Sequence, residues 1–282
     1  MDAATSVPDG SISDASASDA STGAGSGGDA SPDAASSACS AGLFCEDFET
    51  GKIDPNKWDT VVSPGSAVDV QQQTVAHGKY AMHVHGQSGP SDWALLLVKN
   101  AKATLGGTST FGRVNFFTAP APLTSGHTQM VFAGMNGTGS ANGPAPFPKL
   151  RYMEVSNIGG GWQVGFDLLD VGPLVEEVAY PKGRVPISAW TCLEWTFNDQ
   201  PTTATFWIDG TQVGTFDNTD IAYASPGPIP KPGTFVYNGM NAGIIGGFDS
   251  FGVGFHDWHP NMPFDLYYDD FVLGTKRIGC MP

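Results

Sequence analysis

Residues 264–280 read FDLYYDDFVLGTKRIGC. Apolar and polar residues alternate through its first half, the pattern of a half-buried β-strand. Two adjacent carboxylates, Asp269 and Asp270, then sit in mid-strand. Neither face of a half-buried sheet accepts an unpaired carboxylate cheaply, so something must compensate them. A bound cation is the simplest candidate, and hard oxygen ligands on a rigid strand suit calcium. A second acidic run, FCEDFE at 44–49, lies at the other end of the foldable region. Terminal strands that pair with each other close a β-sandwich, and the spacing predicts that these two runs meet.

Working outward, the chain has 282 residues and a net charge of −15. Residues 1–38 are nearly all Ser, Ala, Asp and Gly, with no Lys, Arg or aromatic residue. Such a segment buries too little apolar surface to offset its ordering entropy, so it reads as a disordered acidic tether. Residues 39–282 then form one domain. Abundant Gly and Pro break every apolar run of helical length there, which predicts an all-β fold of two antiparallel sheets.

The acidic balance argues against nucleic acid, whose phosphates need a basic face. No run of 18 apolar residues predicts a membrane span. The tether suggests a preceding secretion or lipoprotein leader, and hence an extracellular or surface-tethered, monomeric protein. Four cysteines, Cys39, Cys45, Cys192 and Cys280, suit two disulfides outside the cell. Of three possible pairings, antiparallel terminal strands favour Cys39 with Cys280 and Cys45 with Cys192.

Several strands place polar residues opposite the core. AMHVHG puts His83 and His85 on one face, FGRVNFF puts Arg113 and Asn115 outward, and HTQMVFAGM does the same with His127 and Gln129. The repeated pattern predicts a bent sheet whose concave, polar face gathers all six. Asp209-Gly210 marks a tight hairpin. Long Gly/Pro-rich loops at 134–148 and 223–233 are candidate rims, and FDSFGVGFHDWHP exposes His256, Trp258 and His259 where a strand ends.

An N-terminal DFE-x-G followed by a Trp, the HGKYAM turn and strand, WTCLE at 190–194, WIDG at 207–210 and the YYDDFVLGTKRIGC ending together resemble the cellulose-induced protein core-domain family of fungi and bacteria. The resemblance spans about residues 42–280, with WTCLE and the ending as its most specific parts. It implies a concanavalin A-like β-jelly roll, related in fold to glucuronan and alginate lyases, with a structural calcium near its termini. Carried over by position, Glu49 on the first strand and Asp269 or Asp270 hold the ion, helped by backbone oxygens of the His77–Tyr80 turn.

A lyase acting on a uronic-acid polymer must neutralise the C5 carboxylate, remove the C5 proton and protonate the departing oxygen. The inventory assigns Arg113 and Gln129 to neutralisation, His127 or His85 to the base and Tyr267 to the acid. His83, Asn115, Trp207, His256 and Trp258 are the companion substrate contacts. The alternative is non-catalytic glycan binding with tryptophans as stacking platforms. A retaining glycosidase needs two carboxylates about 5 Å apart, and no E-x-D-x-x-E motif supplies them. Serine-hydrolase and nucleotide-binding motifs are likewise missing from the sequence.

Overall fold

A computed structural model of the chain describes residues 39, 42–87, 92–101, 109–119, 128–134, 150–157, 162–168, 184–186, 188–199, 202–217, 236–237, 240–241, 250–257 and 263–281. The expected tether at 1–38 and the rim segments 135–148 and 223–233 lie outside the described residues. The strands, in chain order, are β1 (Phe44–Glu46), β2 (Trp58–Val62), β3 (Ala67–Gln71), β4 (Ala81–Gly86), β5 (Asp92–Val98) and β6 (Ser109–Thr118). They continue as β7 (Thr128–Gly134), β8 (Leu150–Asn157), β9 (Trp162–Leu168), β10 (Arg184–Val185), β11 (Thr191–Asp199) and β12 (Thr202–Ile208). The last are β13 (Thr211–Asp217), β14 (Val236–Tyr237), β15 (Met240–Asn241), β16 (Ser250–Asp257) and β17 (Phe264–Gly274).

Two antiparallel sheets form a sandwich, as the strand patterning predicts. An eight-stranded sheet runs β13-β12-β11-β6-β17-β4-β3, with β1 paired to β17. A seven-stranded sheet runs β10-β9-β8-β7-β16-β5-β2, and β14 pairs with β15. No helix among the described residues is long and apolar enough to cross a membrane.

The core lies between the sheets because alternate residues of each strand point to the same face. Met82, Val84, Val114, Phe116, Leu193, Trp195, Leu266 and Tyr268 come from one sheet, and Ala94, Leu96, Val98, Phe251, Val253 and Phe255 from the other. Trp195 lies opposite Gly112, where a Cβ would come within 2.0 Å of the indole, so the glycine makes room for the largest core ring. The β12–β13 hairpin turns on Asp209 and Gly210 with φ of 48° and 75°, the left-handed pair that a type I′ turn requires.

The terminal strands meet as expected: Phe44, Cys45 and Glu46 pair with Leu273, Val272 and Phe271. The first strand stops at Glu46, so Glu49 lies on the turn beyond it and not on the strand. Trp58 is buried in the core and packs on Phe44 and Phe271. Glu46 is buried beside it, accepting from Trp58 Nε1 and pairing with Lys57 Nζ, each at 3.2 Å.

The disulfides differ from the expected pairing. Cys39 joins Cys45 and Cys192 joins Cys280. The reason is a chain reversal: β17 ends at Gly274, and residues 275–281 fold back across β6 and β11 until Cys280 reaches Cys192. Strand adjacency alone does not reveal that return.

Candidate functional site

On the outer face of the eight-stranded sheet, one cross-strand row collects aromatic rings and titratable groups. Asp69 on β3 pairs with His83 on β4, His83 with Tyr267 on β17, and Tyr267 with Phe117 on β6. His83 and Tyr267 stack with centroids 4.9 Å apart, Phe117 meets Tyr267 edge-on at 5.7 Å, and Trp190 follows at 5.5 Å from Phe117.

Asp265 organises the polar part of this row. Its Oδ1 accepts from His83 Nε2 and from His85 Nδ1, each at 2.9 Å. His83 Nδ1 also faces Asp69 at 3.2 Å. Burial alone would push the Asp265 carboxyl up, but the hydrogen bonds and charges of His85 and His83 outweigh it and hold the carboxyl below its ordinary value. The Tyr267 hydroxyl is pushed up by burial and by the charge of Asp265, against a hydrogen bond with Thr74. His85 therefore keeps Nε2 as its second ring position, with the ring fixed by a carboxylate, beside a phenol that stays protonated.

The other half of the same face is closed. Arg113 and Asn115 do point away from the core, as their alternation predicts, yet both are buried, with 2% and 7% of their surface exposed. Arg113 Nη1 donates to the carbonyl of Gly279 at 3.2 Å, beneath the returning C-terminal segment. Burial pushes its guanidinium below the ordinary value, against the charges of Asp270, Glu194 and Asp269. Asn115 Nδ2 donates to Asp270 Oδ2 at 2.8 Å. Arg113 and Asn115, the expected carboxylate neutraliser and substrate contact, are thus both engaged within the fold. Trp207 lies under Arg277 at 4.5 Å, while Arg277 Nη2 donates to the buried Glu194 at 2.7 Å.

The acidic residues of the chain ends face one turn. Glu49 Oε1 accepts from the amides of Lys79 and Tyr80 at 2.8 and 2.9 Å. Asp269 Oδ2 accepts from Ala76 and His77, both at 3.1 Å, and Asp270 Oδ2 meets His77 Nδ1 at 2.6 Å. A register shift in β17 between Asp269 and Val272, with φ of 50° at Asp270, breaks the strand alternation and turns both acids toward this turn. Burial, then the charge of Asp270, pushes the Asp269 carboxyl up to about 8. The oxygens of these two adjacent buried acids are engaged by Ala76, His77 and Asn115. The only group of three potential ligands within 4.8 Å among the described residues is Cys192, Glu194 and Cys280, and its cysteines are joined as a disulfide.

The remaining candidates fall elsewhere. Gln129 and His256 belong to the seven-stranded sheet, on β7 and β16, so the structure does not gather them with His83, His85 and Arg113 on one sheet. Register places Gln129 opposite Glu154 and His256, and His256 opposite Trp93, as a second row on that other sheet. His127 and Trp258 lie outside the described residues.

Sequence reasoning missed Asp265, Asp69 and the Glu194–Arg277 pair. The signal for Asp265 was available, since alternation puts it on the same face as Tyr267. Only pairing with β4 shows that it meets both histidines.

No family model and no curated protein matches the sequence. Solved structures do share the fold. The chain is similar to the cellulose-induced protein Cip1, with TM-score 0.59 and 16% identity over 84% of this chain and 100% of that one. The endo-β-1,4-glucuronan lyase of Trichoderma reesei follows at TM-score 0.52 and 13% identity, covering 83% and 96%. A carbohydrate esterase of the Shiga toxin-encoding bacteriophage phi24B gives 0.51 and 14%, covering 82% and 97%. At these identities the likeness is one of fold, and it agrees with the jelly roll that the sequence motifs imply.

Proposed function

We propose that the chain is a polysaccharide-directed jelly roll that binds glycan on the outer face of its eight-stranded sheet. One observation carries this reading: the row from Asp69 through His83 and Tyr267 to Trp190 places carboxylates, imidazoles and aromatic rings side by side on a partly exposed surface. Sugar recognition uses that mixture, with polar groups for hydroxyls and apolar surface for C–H groups. The glucuronan lyase and the carbohydrate esterase that share the fold support a glycan partner by analogy. Two disulfides suit an extracellular or surface-tethered setting. The test is migration of the purified chain in native gels cast with soluble polysaccharides. Unaltered migration in every gel rejects the reading.

β-Elimination of a uronic-acid polymer is the second reading, favoured by the Asp265–His85 contact. His85 Nε2 would take the C5 proton, the C4–O bond would break as the C4–C5 double bond forms, and Tyr267 would protonate the departing oxygen. Among the described residues, the expected neutralising groups for the C5 carboxylate do not meet on this face, since Arg113 is covered and Gln129 sits in the other sheet. That deficit ranks elimination behind binding. Ultraviolet absorbance of unsaturated ends, formed on glucuronan, alginate or pectate and lost in His85→Ala and Tyr267→Phe, tests it. No absorbance change with the parent chain rejects it.

Calcium belongs to the same proposal as a structural ion. Glu49, Asp269 and Asp270 would hold it, and it would tie the turn after the first strand to the last strand by offsetting their charge.

A further inference from the structure

Resting on the glycan-binding reading, we infer that the row on the eight-stranded sheet selects uncharged, hydroxyl-rich glycan over polyuronate. The Asp69, His83, Tyr267, Phe117 and Trp190 positions lie on or beside five adjacent strands, a span of about 19 Å at roughly 4.8 Å per strand. A polymer bound along it crosses the strands instead of following them.

Charge then sets the class. The side chains of Asp69 and Asp265 are 55% and 39% exposed, so each presents carboxylate oxygen to the surface. Sugar hydroxyls donate to such oxygens, whereas a uronate carboxylate in the same place meets like charge. The cationic capacity nearby is already engaged. His83 faces Asp265 through one nitrogen and Asp69 through the other, and His85 donates to Asp265. Among the described residues, no lysine or arginine forms an ion pair with Asp69 or Asp265. Arg113, on the same outer face, is sealed under Gly279, and Arg277 is engaged by Glu194 and Trp207. The chain's net charge of −15 adds a long-range repulsion in the same direction.

The test compares neutral β-glucans, xylan and mannan with glucuronan, alginate and polygalacturonate, using native affinity gels at low salt and the full chain with both disulfides intact. A matched pair, β-1,4-glucan oligosaccharide and the same chain oxidised at C6, isolates the charge by titration calorimetry. The oxidised form should bind more than about tenfold more weakly, and added salt should narrow the gap. Asp69→Asn should also narrow it, and an unchanged thermal melt for that variant would show that the fold is intact. Equal or tighter binding of the oxidised chain overturns the inference while leaving the glycan reading in place. Retention of no polymer at all overturns both. Discrimination that Asp69→Asn and Tyr267→Ala leave unaltered overturns the assignment to this face.

Discussion

The guanidinium of Arg113 donates to the carbonyl oxygen of Gly279 at 3.2 Å, across 166 residues of chain. That contact converts a strand residue that alternation marks as outward-facing into a buried one. The segment that covers Arg113 is fixed at three points. Arg277 and the Gly279 amide both donate to Glu194, and Cys280 is joined to Cys192.

The two disulfides should contribute unequally. Cys192–Cys280 spans 88 residues and Cys39–Cys45 spans 6. Chain-entropy reasoning gives about 4–5 kcal/mol for the long loop and about 2 kcal/mol for the short one. Paired Cys→Ala variants compared by denaturant midpoint should show the larger loss for the long loop. Equal losses would mean that loop closure is not what these bonds supply.

Arg113→Met sets two effects against each other. Nε and Nη2 of Arg113 have no hydrogen-bond partner among the described residues, so removing them relieves a desolvation cost. The same change strips the cation from beside Asp270, Glu194 and Asp269, which are 1%, 1% and 0% exposed. Three buried carboxylates outweigh two unpaired donors, and a loss of about 3 kcal/mol is expected in chemical denaturation. A variant as stable as the parent would show desolvation to dominate. Glycan retention by whatever remains folded should not change.

Acid stability carries the signature of Asp265. Its carboxyl lies below the ordinary value in the folded chain, behind the opposing effect of burial, because His85 and His83 donate to it. A depressed folded value means that the contribution is fully present above the unfolded carboxylate range and lost as pH falls through the folded value. Asp265→Asn should therefore be less stable than the parent near neutrality, with the gap closing as the solution is acidified. Melting temperatures measured across the acid range check this, and a gap that widens on acidification would contradict it. Solvent exposure of the cluster keeps the effect modest.

Calcium should raise the melting temperature, and chelation should lower it. An ion that binds only the folded chain stabilises by about 2.7 kcal/mol at one hundred times its dissociation constant. Asp269→Asn should blunt the response. Parent-chain melts that ignore both calcium and chelator would reject the proposed ion.

Much of the fold was legible in the sequence because strand alternation has a period of two set by the local backbone. It placed Val114, Phe116, Leu193 and Trp195 in the core, and Asp209-Gly210 announced its hairpin through the left-handed backbone that only such residues accept readily. The expected meeting of the terminal strands also holds, with Phe44–Glu46 paired to Phe271–Leu273. Alternation assigns a face, however, and says nothing of which sheet owns the strand. Gln129 and His85 read alike in sequence yet lie in different sheets, since β7 joins β16 and β8 while β4 joins β17 and β3.

By itself, then, the sequence determined the β class, the inward residues and the meeting of the chain ends, all consequences of local periodicity and of where charge sits along the chain. Only the tertiary structure decided the disulfide partners, the burial of Arg113 and the gathering of two histidines on Asp265. Those depend on a chain reversal after Gly274 and on strand order, and each rests on contacts between residues far apart in sequence that no local pattern encodes.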